Sequence, residues 1–164
     1  MLLHSASQLL TLSGGPQRGS ELGRLGIIPD GAVVIRDGLI AATGATEELR
    51  RRYPDEELLD AGGRVVLPGF VDPHTHLIWA GDRAAEFELR LEGKSYLEIL
   101  AAGGGILSTV RRTRQASVDD LLAETRLRAW DMLKHGTTTA EAKTGYGLET
   151  ATELCMLEAL LRLD

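Results

Sequence analysis

The apolar positions of this chain fall into short clusters separated by glycine, proline and aspartate, and the spacing within the clusters changes along the chain. Leu9, Leu10 and Leu12 close one candidate strand, and Ser13-Gly14-Gly15-Pro16 breaks it. The polar, glycine-rich run up to Pro29-Asp30-Gly31 reads as loop. Ala32–Arg36 carries the β-branched residues that favour strand. Asp37-Gly38 is a hairpin turn signal, and Leu39–Gly44 is the returning strand. Thr46–Tyr53 suits a short helix, with Thr46 as its cap and Pro54 as its stop. Leu58–Gly63 then turns into an apolar run, Val65-Val66-Leu67 and Phe70-Val71, interrupted by Pro68-Gly69. A short apolar run bounded by such residues suits a buried strand better than a helix. It ends in His74-Thr75-His76.

Beyond His76 the pattern becomes helical. Tyr96–Ala102 is apolar enough for a short helix, Gly103-Gly104-Gly105 interrupts it, and Ile106–Arg114 follows. Arg111, Arg112 and Arg114 lie close together and read as a solvated face. The clearest helix is Val118–His135, whose apolar residues recur at three-and-four spacing. Ser117 with Asp120 predicts a capping box, and Gly136 suits the position after the helix end. Thr137–Lys143 reads as a strand that ends in Thr144-Gly145-Tyr146-Gly147. Thr150 with Glu153 predicts a second capping box, before an apolar helical pattern that includes Cys155 and runs to Asp164. Cys155 reads as a core residue, His4 as part of a surface strand, and His135 as a cation suited to the end of a helix dipole.

Strand, connection, helix, strand, helix is the order of parallel β/α units. The expected fold class is therefore α/β. Residues 1–64 read as a small β-sandwich-like module, and residues 65–164 as the first β/α units of a (β/α)8 TIM barrel. Such a barrel takes about 250 residues, and 100 follow residue 64. The barrel is therefore expected to be incomplete in this chain. Both strand ends, at His74-Thr75-His76 and at Lys143–Tyr146, would lie at the rim where such barrels place their chemistry.

His74 and His76 are the candidate metal ligands. Residues two apart in an extended chain point to the same side, and neutral imidazole is a usual ligand of zinc and also suits iron. Composition narrows the remaining classes. The chain has 164 residues, 43% of them hydrophobic, and a net charge of −6. That acidity argues against nucleic acid, which selects for a basic face. A single cysteine forms no internal disulfide and fits a reducing cytoplasm. No apolar run approaches the roughly 20 residues of a membrane span, and the first ten residues lack the features of a secretory signal.

Longer segments carry a resemblance. Val34–Gly44 followed by Asp60–His76 resembles the start of the metal-dependent amidohydrolases. Ala80–Phe87, Gly93–Tyr96, Gly103–Val110 and Lys143–Leu148 narrow this to the imidazolonepropionases, the imidazolone-ring hydrolases of histidine degradation. The resemblance implies one zinc or iron ion, with His74 and His76 as two of its ligands, and Arg83 and Tyr146 as substrate contacts. A guanidinium suits a carboxylate because it can bind it bidentately. Tyr96 is a further pocket candidate, or else packs on its helix. The implied substrate is 4-imidazolone-5-propanoate and the implied product N-formimidoyl-L-glutamate. A hydantoinase- or dihydroorotase-like cyclic amidohydrolase is the alternative enzyme, and a non-catalytic truncated fragment the alternative outside enzymes. The family's further histidines, catalytic glutamate and metal-binding aspartate are expected beyond residue 164. Glu141 and Lys143 do not replace them. On this reading the chain alone is inactive, binds metal weakly and tends to associate, with a homodimer or a complementing C-terminal polypeptide as partner.

Overall fold

The computed structural model describes all 164 residues, Met1–Asp164, in two compact units, Met1–Pro68 and Gly69–Asp164. In the first unit the strands are β1 (Leu2–Leu10), β2 (Ile27–Arg36), β3 (Leu39–Ala45), β4 (Leu58–Asp60) and β5 (Val65–Val66), with one helix, α1 (Thr46–Arg52), between β3 and β4. They form a single five-stranded sheet in the order β3-β2-β1-β4, and β5 also pairs with β1. This corrects the expected sandwich. One sheet carries every strand, and α1 supplies the cover by burying Leu49 against Leu2, Ala32 and Val34.

The hairpin at Asp37-Gly38 forms as its sequence predicts. Asp37 (φ 52°) and Gly38 (φ 73°) are both left-handed, the backbone of the two-residue turn that matches strand twist. Ile27–Gly31 is strand rather than loop, because it pairs with the second half of β1, where Gln8 faces Pro29 and Ala6 faces Gly31. Thr46 does not cap α1. Its hydroxyl lies within the sheet instead, accepting from Ser5 N at 2.9 Å and donating to Gly31 O at 3.3 Å. His4 is buried, not on a surface strand, with Nδ1 2.8 Å from Ser5 Oγ.

The second unit contains β6 (Phe70–Thr75), α2 (Ala84–Leu91), α3 (Tyr96–Ala101), α4 (Ile106–Gln115), α5 (Val118–Lys134), β7 (Thr137–Ala142) and α6 (Thr150–Leu163). β6 and β7 pair in parallel, with Phe70 opposite Thr137 and Thr75 opposite Ala142. The capping box at Ser117 and Asp120 opens α5 as its sequence predicts, and Gly136 follows the helix at φ 95°. The expectation of a buried strand does not hold here. Phe70 and Val71 of β6 are 54% and 66% exposed. The core lies one step further on, where Ile78 and Ala80, in the extended segment after His76, pack with Leu121, Leu122, Met156 and Ala159 of α5 and α6. At α6 the N-cap is Glu149 and the expected Thr150–Glu153 box is absent, because the Glu153 carboxylate turns to the preceding loop. Cys155 is exposed rather than in the core. No helix is long and apolar enough to cross a membrane.

Candidate active site

The ends of the two parallel strands are fastened together beside the histidines. Lys143 N donates to Thr75 O at 2.9 Å, and Thr75 Oγ1 donates to Glu141 O at 2.7 Å. His74 lies within β6 and His76 two residues on, both exposed. Their rings meet edge to face with centres 5.7 Å apart. Zinc–nitrogen bonds of about 2.1 Å place two rings on one ion with centres roughly 5–6 Å apart, so this spacing fits a shared metal. No group of three or more His, Cys, Asp or Glu side chains is gathered to hold an ion. The donor set therefore fits part of a zinc or iron site.

Next to the histidines a cavity of about 560 Å³ is walled by Trp79, Asp82, Arg83, Ile106, Arg128 and Tyr146 among others. Arg83 and Tyr146, 63 positions apart in sequence, thus face one space. The Tyr146 ring stands 5.5 Å from that of His76 and 6.4 Å, nearly perpendicular, from Trp79. The geometry suits a ring-bearing ligand with an anionic arm, since aromatic walls offer flat apolar contact and the guanidinium offers paired donors.

Two residues of this wall carry no signature in the sequence. Trp79 is covered by the Arg128 guanidinium, 3.6 Å from the ring centre. Arg128 also donates to Trp79 O at 2.9 Å and Leu77 O at 3.3 Å, and pairs with Glu124 at 2.6 Å. Burial lowers the Arg128 pKa, against the opposing pull of Glu124. By sequence, Glu124 and Arg128 are an ordinary i,i+4 helical pair; only the fold turns the arginine inward. The arginine cluster on α4 likewise does more than face water. Arg111 donates to Gly103 O, Arg112 to Asp82 O at 3.1 Å and Arg114 to Gly147 O at 2.7 Å.

Arg83 stands just before α2 and bonds Glu86 through Nε at 2.9 Å and also through Nη2. Glu86 accepts in turn from Gly105 N at 2.9 Å, which ties the triple-glycine turn to the cavity wall. Tyr96 is 54% exposed and is not among the residues that wall this cavity. The hydrogen bond from Arg83 holds the Glu86 carboxyl below its usual value of 4.5, opposed by burial and helped by Gly105 N–H. A folded-state pKa below the unfolded one adds stability that is complete above pH 4.5 and lost as pH falls through the lower folded value. Glu86→Gln is therefore expected to cost about 1 kcal/mol or less near pH 7. In thermal melts the gap to wild type should close below pH 4.5, and a gap that widens in acid would contradict the pairing.

Comparisons with known proteins agree with one another. Residues 57–146 match a family model described as "Amidohydrolase family", and residues 31–55 match one described as "Imidazolonepropionase-like composite domain, bacteria". Three relatives are named imidazolonepropionase. That of Herpetosiphon aurantiacus is 51% identical over 99% of this chain and 38% of its own length. That of Chloroflexus aggregans is 51% identical over 100% and 39%, and that of Solibacter usitatus 52% identical over 99% and 40%. The chain thus spans about two fifths of the length of these curated relatives. Among solved structures, guanine deaminase of E. coli superposes with a TM-score of 0.67 at 20% identity, covering 98% of this chain and 34% of that one. A mutant atrazine chlorohydrolase from Arthrobacter aurescens TC1, complexed with zinc and atraton, gives 0.59 at 21% identity, covering 99% and 33%. At those identities the likeness is one of fold.

Proposed function

The chain belongs to the amidohydrolase family, whose model it matches over residues 57–146, and from that premise we propose that it provides the first-strand histidines and two substrate contacts of an imidazolonepropionase. The reaction is hydrolysis of the cyclic C–N bond of 4-imidazolone-5-propanoate to N-formimidoyl-L-glutamate. The observation that carries this reading is the meeting of Arg83 and Tyr146 in one cavity, with the Tyr146 ring against His76. The first unit is read as an accessory β module, and β6 and β7 as the first two strands of a (β/α)8 barrel.

His74 and His76 would hold one zinc or iron ion. When bound, the ion supplies Lewis acidity and makes a water nucleophilic near neutral pH. The chain's own residues bind and orient. Arg83 grips the propionate carboxylate with its paired donors, with Glu86 as its anionic neighbour in the absence of substrate. Tyr146 donates its hydroxyl to the ring or to the acid, and Trp79 closes the apolar side. Held in this way, the imidazolone ring would be fixed beside the histidines, and positioning of this kind is itself a large part of catalysis.

Formation of N-formimidoyl-L-glutamate tests the reading. In a preparation that turns the substrate over, Arg83→Met is expected to raise KM by about 10–100-fold, the worth of a hydrogen-bonded charge pair. The 164 residues purified alone are expected to give no turnover, since catalytic zinc sites ordinarily have three protein ligands and two are present here. An unchanged KM in Arg83→Met, or turnover of a hydantoin or dihydroorotate in place of the imidazolone, would overturn the assignment.

A further inference from the structure

Tyr146 sits in a loop whose backbone has little reason to adopt its shape unaided. Gly145 has φ +136° and Leu148 has φ +52°, a left-handed conformation that a branched aliphatic residue rarely takes. A Cβ at Gly147 would lie 2.9 Å from the Thr152 side chain and 3.0 Å from Glu153 N, so the loop rests directly on the first turn of α6. Two side chains from different helices hold it there. Glu153 Oε1, on α6, accepts from Gly147 N at 2.7 Å and Leu148 N at 2.8 Å. Arg114 Nε, on α4, donates to Gly147 O at 2.7 Å, and the same guanidinium pairs with Glu149 at 3.7 Å.

We propose that Glu153 and Arg114 are positioning residues: they grip the backbone N–H and C=O of Gly147, and so hold the neighbouring Tyr146 ring against His76 at the cavity. The proposal rests on reading Tyr146 as a substrate contact, and neither residue touches the cavity itself. Glu153 carries more than a neutral acceptor would. Burial opposes its charge, yet the hydrogen bonds from the Gly147 and Leu148 N–H groups help to leave its pKa lowered overall. Bonds from N–H groups to a carboxylate are roughly twice as strong as neutral ones, and that strength is aimed at the backbone on the far side of Tyr146 from β7.

The chain has four histidines, so the His76 ring resonances can be assigned by substitution and read by NMR on the chain itself. The Tyr146 ring current shifts those resonances, and Tyr146→Leu defines their position without it. Glu153→Leu and Arg114→Met are each expected to move the His76 signals most of the way to the Tyr146→Leu position, while the His135 signals stay in place. Glu153→Gln, which keeps an acceptor oxygen, should restore most of the wild-type position. Adding Glu153→Leu to Tyr146→Leu should produce no further shift. His76 signals at wild-type positions in folded Glu153→Leu would overturn the proposal. Should that variant fail to fold, Arg114→Met decides, because the Arg114 side chain is 39% exposed and its loss leaves no buried void. Tyr146→Phe separates this proposal from the functional reading. It keeps the ring and the His76 shifts, so an unchanged substrate KM there would count against the substrate contact and leave the positioning result standing.

Discussion

Leu121→Ala is expected to lower the stability of the second unit by about 3–5 kcal/mol, the cost of emptying a filled leucine site. Leu121 is fully buried and belongs to the cluster of Ile78, Ala80, Leu122, Met156 and Ala159. Its neighbours come from both α5 and α6 and from the segment after His76, so no single element can relax to fill the gap. A domain's whole stability is about 5–15 kcal/mol, and such a loss is a large part of it. The effect should reach the site as well, because Tyr146 packs on the same cluster and Ile78 lies two residues beyond His76. Leu127 is the control. It is on the same helix but 68% exposed, and Leu127→Ala should stay within about 0.5 kcal/mol of wild type. Urea melts followed by helix circular dichroism measure both. A loss at Leu121 no larger than at Leu127 would mean that the helices do not share this core.

The second large effect concerns metal. Zinc or iron uptake by the 164-residue chain is expected to be weak, with dissociation constants in the micromolar range or above, and to fall more than about tenfold, or about 1.4 kcal/mol, in His76→Ala. The reasoning is one of donor count. The two rings are spaced for one ion, but no third His, Cys, Asp or Glu joins them. Each missing donor leaves a coordination position to water. His74→Ala should behave in the same way, whereas His135→Ala should change nothing, since His135 lies at the end of α5 with its Nδ1 2.7 Å from Asp131 O. Competition against a chromophoric chelator gives the constants. Sub-micromolar affinity that survives His76→Ala would place the ion elsewhere, and sub-micromolar affinity lost with His76 would point to donors from a second copy.

How much of this was legible beforehand depended on the range of the interactions. The Asp37-Gly38 hairpin and the Ser117–Asp120 capping box were readable because their causes lie within a few residues, in left-handed backbone and in a side chain reaching the next turn. The closeness of the His74 and His76 rings was readable because extended chain alternates its side chains, and the candidacy of Arg83 and Tyr146, which meet in one cavity, came from longer segments that resemble the imidazolonepropionases. The exposure of β6 does not follow from its sequence. An apolar run signals a strand, but not which other elements cover it, and Phe70 and Val71 remain exposed while the core forms at Ile78.

Sequence by itself therefore determined the local devices of this protein: its hairpin, the cap of its longest helix and a set of candidate site residues. Tertiary structure decided where the polar side chains spend their hydrogen bonds. Thr46 and Glu153 occupy positions that read as helix caps, yet one bridges Ser5 and Gly31 and the other holds Gly147 and Leu148. Arg114 reads as a solvated charge, yet it holds a loop, and Arg128, by sequence half of an i,i+4 pair, covers a tryptophan. The physical reason is that a cap competes only with groups one turn away, whereas a folded chain brings up backbone N–H and C=O groups from outside that turn, five and six residues off for Glu153, 15 and 41 for Thr46 and 33 for Arg114. Those groups, removed from water, must be satisfied by whatever side chain is within reach.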